Sequence, residues 1–294
     1  MLLKGKIYFI RLIKIVFIDL IIISVISVIA GFLAYGQYYE NLHVPLALIA
    51  IVGTALSLLL AFRTSQSYDR WWEARIIWGA IVNDSRNLIR QIQLYLPDTE
   101  KAAIARFAKR QIIWNFALSE SLRKQPFTDR VQKYLSEHQI KDVNIPNGIL
   151  SEHYKQLKEF DTSKLSDYNL VQIETTLVKL CDSMGKCERI KNTIFPVSYS
   201  KMIHFIIYLF AVMLPFSLDN TYPILKTFIT AIIPILFIAI ERTSILMQDP
   251  FENSPMDTPM TTLSRTIEIN LMEQIGEEAP PAIPPVPNDY YYIL

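Results

Sequence analysis

The sequence is poor in the residues from which most enzyme sites are built. Its 294 residues include only two cysteines, four histidines and eight glycines. No HExxH motif or Cys/His spacing suits zinc, and no G-x-S-x-G, P-loop or G-x-G-x-x-G motif is present. These absences argue against an enzyme, and they predict no catalytic residue, no metal site and no cofactor.

The chain also lacks an excess of charge of either sign. The formal net charge is only +1, and no basic run is interleaved with aromatic residues. A nucleic-acid partner is therefore not expected. Cys181 and Cys187 lie six residues apart on a predicted helix, so they occupy different faces and are interpreted as small buried hydrophobic residues rather than a disulfide.

Apolar residues, by contrast, are abundant and clustered. The chain is 51% hydrophobic and 19% charged, against about 25% charged in typical soluble domains. Residues 15–35, 44–62, 202–218 and 222–240 are apolar runs of 17 to 21 residues, which is long enough for a helix to cross a bilayer. No segment shows the alternation of a strand. The sequence therefore predicts an all-α membrane protein with four transmembrane helices and a helical cytosolic domain.

The distribution of basic residues predicts the orientation of these spans. Residues 36–46 and 214–225 contain no Lys or Arg, whereas residues 63–110 contain nine and residues 1–14 contain four. By the positive-inside rule, both termini and the long middle segment are expected in the cytoplasm. The chain is expected to cross its membrane several times.

The predicted organisation has four parts along the chain. Residues 1–62 hold the cytosolic N-terminus and spans 1 and 2, residues 63–200 a helical cytosolic domain, residues 201–247 spans 3 and 4, and residues 248–294 a cytosolic C-terminal segment with a Pro-rich tail.

Within the cytosolic part, apolar spacing predicts that the second span continues as a helix to residue 96. A further helix is predicted to end at residue 118, and another covers residues 167–193. Residues 124–163 are expected to be irregular, with a turn at Pro146-Asn147-Gly148. The prolines of residues 276–287 predict an extended tail.

Ionisable residues inside apolar runs are functional candidates. Asp19 and His204 lie near the ends of their spans, where snorkelling or an arginine partner would satisfy Asp19, and structural roles are favoured for both. Lys226 is expected to reach the headgroups. Residues 248–260 offer Asp249 and two further carboxylates to a calcium ion, but solvated carboxylates are the favoured interpretation.

The second span carries Thr54, Leu58 and Phe62 at i, i+4 and i+8, so these side chains share one face. Such a stripe is either a packing seam or the lining of a pore. Four spans from one subunit leave no obvious internal channel, so a pore would have to lie on the symmetry axis of an oligomer.

Three segments resemble the bacterial branch of the bestrophin family over nearly the whole chain. They are AFRTSQSYDRWWEARIIWGAIVNDSRNLIRQ (residues 61–91), GKCERIKNTIFPVSYS (residues 185–200) and DPFENSPMDTPMTTLSRTIEINLMEQIGE (residues 249–277). The RWWEAR and CERI-x-x-T-x-x-P-x-x-YS blocks are long and specific.

The resemblance implies a homopentameric ion channel with one pore on the fivefold axis. The family's F-R-x-S motif matches Phe62 to Ser65, which makes Phe62 the inner residue of a hydrophobic neck, with Leu58 and Thr54 above it. Thr54 departs from the bulky apolar residue usual at that level, so the outer neck is expected to be wider and wetter. A second constriction lies in the cytosolic domain of family members, and Ile173 is the candidate here.

The resemblance also assigns roles around the second span. Trp71 and Trp72 are expected to pack between subunits and at the membrane interface. The charged residues of that segment are expected to form ion pairs rather than to contact the permeant ion; they are Arg63, Arg70, Glu73 and Arg75. Animal members are gated by calcium at an acidic cluster, but the run of aspartates is missing here, so calcium gating is not carried over.

Two classes of function remain open. The first is passive conduction of small monovalent ions, with anions such as chloride as the family's default and a cation-selective pore as the alternative. The second is a non-conducting membrane scaffold that binds a protein partner. A membrane-bound enzyme has no motif in its favour. Homopentamer, membrane lipid and permeant ions are the predicted partners, and the sequence does not identify the gating stimulus.

Overall fold

The computed structural model describes residues 9–33, 44–160, 165–193, 195–219, 221–254 and 256–282, and within these ranges the chain is helical and contains no strand. The all-α expectation is therefore confirmed for the described residues. The helices follow in the order α1 Phe9–Leu33, α2 Leu46–Tyr95, α3 Lys101–Leu122, α4 Asp129–Glu137, α5 Ile145–Leu157, α6 Asp167–Asn192, α7 Val197–Met213, α8 Pro223–Gln248 and α9 Met260–Gln274.

The chain divides into two compact units. We call Gly5–Arg70 and Ile194–Gln248 the membrane unit, and Met1–Lys4, Trp71–Thr193 and Asp249–Leu294 the globular unit. Among the described residues, three helical stretches are long and apolar enough to cross a membrane, namely Leu46–Tyr95, Val197–Ser217 and Pro223–Gln248. A shorter apolar stretch, Ile15–Ala30, lies in α1. The expected fourth span thus stays a prediction.

The membrane unit has its own apolar core. Side chains of four helices meet there, with Ile23 of α1, Leu56 of α2, Ile207 of α7 and Ile238 of α8 almost completely buried. A Cβ atom added to Gly53 would lie 3.2 Å from the Phe210 ring, so glycine lets α2 approach α7 closely. Close packing of this kind is the main source of helix association in lipid.

The ends of the last two spans differ slightly from expectation. Two residues before Pro215, α7 stops as an α-helix at Met213, and a 3₁₀ turn at Leu214–Ser217 completes it. In α8 the helix continues past residue 240 to Gln248 and contains Pro234 in its interior. The loop between spans 1 and 2 lies mostly outside the described residues.

The globular unit is built around large buried aromatic and aliphatic side chains. Trp78, Phe107, Trp114 and Leu177 are each completely buried in one cluster, to which α9 adds Leu271. The predicted continuation of the second span is confirmed, since α2 runs unbroken to Tyr95. The helix predicted at residues 167–193 is confirmed as α6.

The prediction of irregular structure at residues 124–163 is wrong, because α4 and α5 lie there. The supposed turn at Pro146-Asn147-Gly148 is the first turn of α5. The Asn144 side chain accepts a hydrogen bond from the Asn147 amide at 3.1 Å and caps the helix. Proline is favoured in a first turn because the amide it lacks would be unpaired there anyway. Of the Pro-rich tail, residues 283–294 lie outside the described residues.

Candidate pore surface and buried ion cluster

One side of α2 in the membrane unit is exposed and mostly apolar. Leu58 is 58% exposed, Phe62 is 59% exposed and Thr54 is also exposed. The opposite side of the helix, with Leu60 and Arg63, is buried. The three residues predicted to line a neck therefore lie on the side of α2 that is free to meet another molecule.

The hydroxyl groups on this side of α2 are engaged within the helix. Thr54 Oγ1 donates to the carbonyl of Ala50 at 2.8 Å, and Ser57 Oγ donates to the carbonyl of Gly53 at 2.8 Å. The exposed surface therefore presents methyl groups, ring edges and hydroxyl lone pairs. None of the three residues predicted to line the neck, Thr54, Leu58 and Phe62, carries a charge.

An apolar groove runs beside the exposed side, between α2 and α8. A cavity of about 330 Å³ is lined by Ser57, Leu60, Ala61, Thr64, Ser65, Phe237 and Ile240. Thr64 and Ser244 exchange a hydrogen bond of 2.8 Å at its edge. Of the groove residues on α2, Ser57 and Ala61 are exposed and lie next to the stripe, whereas Leu60 forms its buried floor.

Arg63 directly follows Phe62 in sequence but lies on the buried side of α2. It is 1% exposed, its Nη1 donates to Ser200 Oγ at 2.6 Å and its Nη2 donates to Gln248 Oε1 at 3.2 Å. Its guanidinium lies 4.6 Å from the centroid of the Phe195 ring. Arg70 Nε donates to the Gln248 carbonyl at 2.6 Å. These arginines anchor α2 to the ends of α7 and α8.

In the globular unit, the tryptophan pair and Glu73 make separate contacts. The rings of Trp71 and Trp72 lie 6.1 Å apart, and Trp71 Nε1 donates to the Met256 carbonyl at 2.6 Å. Trp72 is 48% exposed. Glu73 forms an ion pair with Arg189 at 2.6 Å. Arg75 is half-buried.

The predicted lower constriction residue, Ile173, does not lie on a surface. It is completely buried in the core of the globular unit. A side chain that lines an aperture between subunits must be exposed on its own protomer, so this position does not fit the role. The exposed apolar side chains of α6 are Tyr168, Leu170, Val171 and Val178, at 73%, 37%, 53% and 45% exposure. Tyr168, Val171 and Val178 fall at i, i+3 and i+10 and share one face of the helix.

A cluster of ionisable side chains is buried between α1, α7 and α8 of the membrane unit. Asp19 is 3% exposed, and its Oδ2 accepts a hydrogen bond from Arg242 Nε at 2.9 Å and lies 2.8 Å from Arg242 Nη2. Its Oδ1 accepts a hydrogen bond from Tyr208 at 2.7 Å. The expectation that an arginine partner would satisfy Asp19 is confirmed.

His204 connects this carboxylate to a second one. Its Nδ1 lies 2.6 Å from Glu241 Oε2, and its Nε2 lies 3.4 Å from Asp19 Oδ1. Glu241 is 1% exposed. Lys226 is 6% exposed and donates to the carbonyl of Leu218, which directly follows the 3₁₀ turn, at 2.9 Å; its reach to the headgroups stays a prediction.

The carboxylates of the segment before α9 are used internally. Asp257 is 1% exposed and accepts a hydrogen bond from Ser254 Oγ, and burial raises the pKa of its carboxyl group. Glu252 forms an ion pair with Lys191 at 2.6 Å. No group of three metal-ligating side chains occurs among the described residues. The solvated interpretation is thus wrong for Asp257, which is buried because it caps its own loop.

Sequence reasoning did not identify Tyr208, Glu241 and Arg242 as members of the cluster. Two signals were present. Tyr208 follows His204 at i+4, on the same face of α7, and Glu241-Arg242 directly follows the apolar run of the fourth span. Which carboxylate each cation meets depends on how the helices pack, and periodicity does not report that.

The comparisons with known proteins agree with one another. A family profile described as "Bacterial/Fungal Bestrophin protein" matches residues 3–273. A relative from Escherichia coli (strain K12), named voltage-dependent anion channel-forming protein YneE, is 31% identical over 252 residues, covering 83% of this chain and 82% of the relative. A relative from Synechocystis sp., also named a voltage-dependent anion channel-forming protein, is 29% identical over 241 residues, covering 79% of this chain and 78% of the relative.

A solved structure shows the same similarity. The crystal structure of a bacterial bestrophin homolog from Klebsiella pneumoniae is 29% identical in sequence with a TM-score of 0.83, covering 90% of this chain and 99% of that chain. Because the family profile spans most of the sequence and the fold matches a bestrophin homolog, the chain belongs to the bacterial and fungal bestrophin family.

Proposed function

We propose that this protein is a homopentameric channel that passively conducts small monovalent anions such as chloride across a bacterial inner membrane. The observation that carries the proposal is the uncharged, exposed stripe of Thr54, Leu58 and Phe62 on a helix long enough to cross the bilayer. The curated names of relatives as anion channel-forming proteins support the sign of the permeant ion.

The neck is formed when copies of α2 surround a common axis. In one protomer, Leu58 and Phe62 are each more than half exposed. When five copies turn this surface toward the axis, their side chains form apolar rings around the pore. A narrow apolar ring can close to ions by losing its water. A Phe ring that turns its edge inward shows its positive rim to an anion. Such a neck admits chloride without a fixed positive charge.

The proposed arrangement in the membrane has four spans and cytoplasmic termini. Three described stretches meet the length and composition of a span, and α1, with the apolar stretch Ile15–Ala30, supplies the fourth. The asymmetry of Lys and Arg between the loops supports this orientation. The globular unit is then cytosolic.

We place the second, cytosolic constriction on the exposed face of α6 instead of at Ile173. Tyr168 and Val171 lie in the first turns of α6 and are more than half exposed. Large side chains on one face of a helix can form a ring around a symmetry axis, whereas Ile173 is already surrounded by its own core.

A cation-selective pore of the same architecture is the second candidate. It is favoured by the absence of any charge at Thr54, Leu58 and Phe62, because a ring without fixed charge discriminates weakly between ions of opposite sign. Selectivity then depends on a few flanking residues, and relatives with the same fold can differ.

The decisive experiment places the purified protein in a planar bilayer with a salt gradient. Single-channel currents that reverse near the chloride equilibrium potential support the proposal. Reversal near the sodium or potassium potential replaces it with the cation channel, and silence at every voltage replaces it with a non-conducting scaffold.

The neck is tested by a double variant, Leu58→Ala with Phe62→Ala. Removing both apolar rings should widen the neck and raise single-channel conductance severalfold. Phe228→Ala is the matched control, because Phe228 of α8 is 63% exposed but lies outside the stripe. Equal currents in the double variant and the wild type would remove this face of α2 from the pore.

The lower constriction is tested by polar substitutions on the two faces of α6. Tyr168→Ser and Val171→Thr should change the permeability ratio between chloride and larger anions. Ile173→Thr should instead lower thermal stability, because it places a hydroxyl in a closed apolar core. A changed permeability ratio in Ile173→Thr alone would return the constriction to the position first predicted.

A further inference from the structure

The guanidinium group of Arg63 connects α2 to the two other long spans of the membrane unit. Nη1 donates to Ser200 Oγ on α7 at 2.6 Å, and Nη2 donates to Gln248 Oε1 at the end of α8 at 3.2 Å. The guanidinium carbon lies 4.6 Å from the centroid of the Phe195 ring, which precedes α7. The side chain is 1% exposed, so all three contacts are made inside the unit.

The chemistry of arginine makes these contacts directional. A guanidinium group is planar and presents its N–H donors in a fixed fork, whereas the ammonium group of lysine is a point charge on a flexible stem. The two Arg63 nitrogens donate to acceptors on two different helices, so both bonds form only when the plane of the fork has one orientation. Turning α2 about its own axis would carry the fork away from both acceptors.

The hydrogen bonds of Arg63 are not ion pairs. Both acceptors, Ser200 and Gln248, are neutral side chains. The carboxylate of Glu241 is within electrostatic reach, but its short contact of 2.6 Å is with His204. The contacts of Arg63 therefore depend on the direction of its N–H groups more than on its charge.

Two further contacts restrain the same part of α2 from its buried side. Thr64 Oγ1 and Ser244 Oγ of α8 are 2.8 Å apart. Arg70 Nε, about two turns further along α2, donates to the Gln248 carbonyl at 2.6 Å. Gln248 thus accepts from both arginines, through its side chain from Arg63 and through its backbone from Arg70.

The direction of the Phe62 side chain is tied to this anchor, because Phe62 directly precedes Arg63. Neighbouring residues of an α-helix point about 100° apart around the axis. When Arg63 is fixed against α7 and α8, Phe62 can leave α2 in only one direction. A rotation of α2 that breaks the Arg63 contacts would turn the Phe62 ring away and bring a smaller neighbour, such as Ala61, toward its place.

We propose that Arg63 is the positioning residue of the neck. Its fork, held by Ser200 and Gln248, sets the direction in which Phe62 points and thereby the width of the inner ring, without contact with the permeant ion. This inference rests on the proposed function, because it takes Phe62 as a residue of the neck.

The test compares two replacements of Arg63 by single-channel recording in planar bilayers with equal chloride on both sides. Arg63→Lys keeps the positive charge but loses the fork, and Arg63→Gln loses both. Both variants should raise the mean conductance at least about twofold, because the Phe62 rings no longer stay at the axis. If Arg63→Lys conducts like the wild type and only Arg63→Gln differs, the charge matters rather than the fork, and the proposal is overturned.

A double-variant cycle separates positioning from a general loss of stability. In the Phe62→Ala background there is no ring to orient, so Arg63→Lys should change the conductance no further, although it should lower the melting temperature in both backgrounds. An equal fold-change in conductance with and without the Phe62 ring would contradict the proposal, because Arg63 would then act by another route.

A milder variant serves if neither Arg63 variant folds. Ser200→Ala removes one acceptor of the fork and should also raise the conductance. The matched control is Ser217→Ala, at a buried serine of the same unit that donates to the Leu214 carbonyl, and it should conduct like the wild type. Unchanged conductance in Ser200→Ala would overturn the proposal.

The Phe62→Ala variant shows which idea has failed. If it raises the conductance while the Arg63 and Ser200 variants do not, this inference alone is wrong. If Phe62→Ala conducts like the wild type, or if the wild type does not conduct, the proposed neck is wrong and this inference is lost with it.

Discussion

The two units treat a histidine in opposite ways. His204 in the membrane unit lies between two carboxylates, whereas His153 in the globular unit is completely buried and stacks on Phe107 with ring centroids 5.2 Å apart. Neither ring nitrogen of His153 has a hydrogen-bond partner among the described residues. Burial, helped by the nearby Arg110, holds the pKa of His153 well below its usual value. Burial thus neutralises a histidine when no anion is beside it.

A second contrast concerns buried polar groups elsewhere in the two units. The membrane unit pairs Asp19 with Arg242 inside an apolar unit. In the globular unit, a neutral network joins α2 to α3, where Gln111 Nε2 donates to Ser85 Oγ at 2.9 Å and Asn115 Nδ2 donates to the Gln111 carbonyl at 2.7 Å. A charged pair holds helices together only while both charges remain, but a neutral network is insensitive to pH.

The largest expected effect comes from breaking the charged pair. Arg242→Ala leaves the Asp19 carboxylate buried without its cation, which should cost about 3–5 kcal/mol of stability and sharply reduce the yield of folded protein. Thermal unfolding in detergent measures it. The double variant Asp19→Asn with Arg242→Gln keeps the hydrogen-bonding groups without the charges and should recover much of the loss. If Arg242→Ala unfolds at the same temperature as the wild type, the pair contributes little to stability.

A smaller effect on stability is expected from the protonation of His153 in the globular unit. Because the pKa of His153 is lowered in the folded state, the unfolded chain binds the proton more readily, and stability should fall as the pH drops below about 6.5. The loss should be about 1.4 kcal/mol per pH unit at most.

His153→Leu should abolish this acid sensitivity, since it removes the titrating group from an apolar site. Hydrogen exchange of α3 and α5 at about pH 5 and pH 7 gives the readout, and His138→Leu in the same unit is the control. If acid loosens α3 and α5 equally in both variants, another group is responsible.

The smallest effect should come from the exposed ion pair of the globular unit. Glu73 and Arg189 are 2.6 Å apart, but their side chains are 44% and 63% exposed. Water competes for such charges, so Glu73→Gln should change stability by less than about 1 kcal/mol. A loss as large as that of Arg242→Ala would mean that this pair is buried in the assembled protein.

Regular periodicity made several parts of the fold predictable. The spacing of apolar residues in α2 and α6 is helical over many turns, and both helices were found within a few residues of their predicted ends. Proline had the opposite effect at α5. Pro146 and Gly148 suggested a turn, because the same residues that break a helix are also accepted in its first turn.

The site was less predictable for two physical reasons. In α6, apolar side chains occur on both faces, with Val171 and Val178 outside and Ile173 inside, so composition alone does not identify the buried face. In the membrane unit, Asp19 and Arg242 come from opposite ends of the sequence. Their contact depends on the packing of α1 against α8, which neither local sequence reveals.

The unbroken course of α2 has a consequence for how the protein is held in lipid. Fifty residues rise by about 75 Å, whereas the hydrocarbon of a bilayer is about 30 Å thick. Because α2 is a single helix from Leu46 to Tyr95, no helix end marks where lipid stops, and we expect aromatic side chains such as Trp72 to set its depth. In a thinner or thicker bilayer the helix can slide or tilt without melting, and the gating of any channel it lines should therefore depend on lipid chain length.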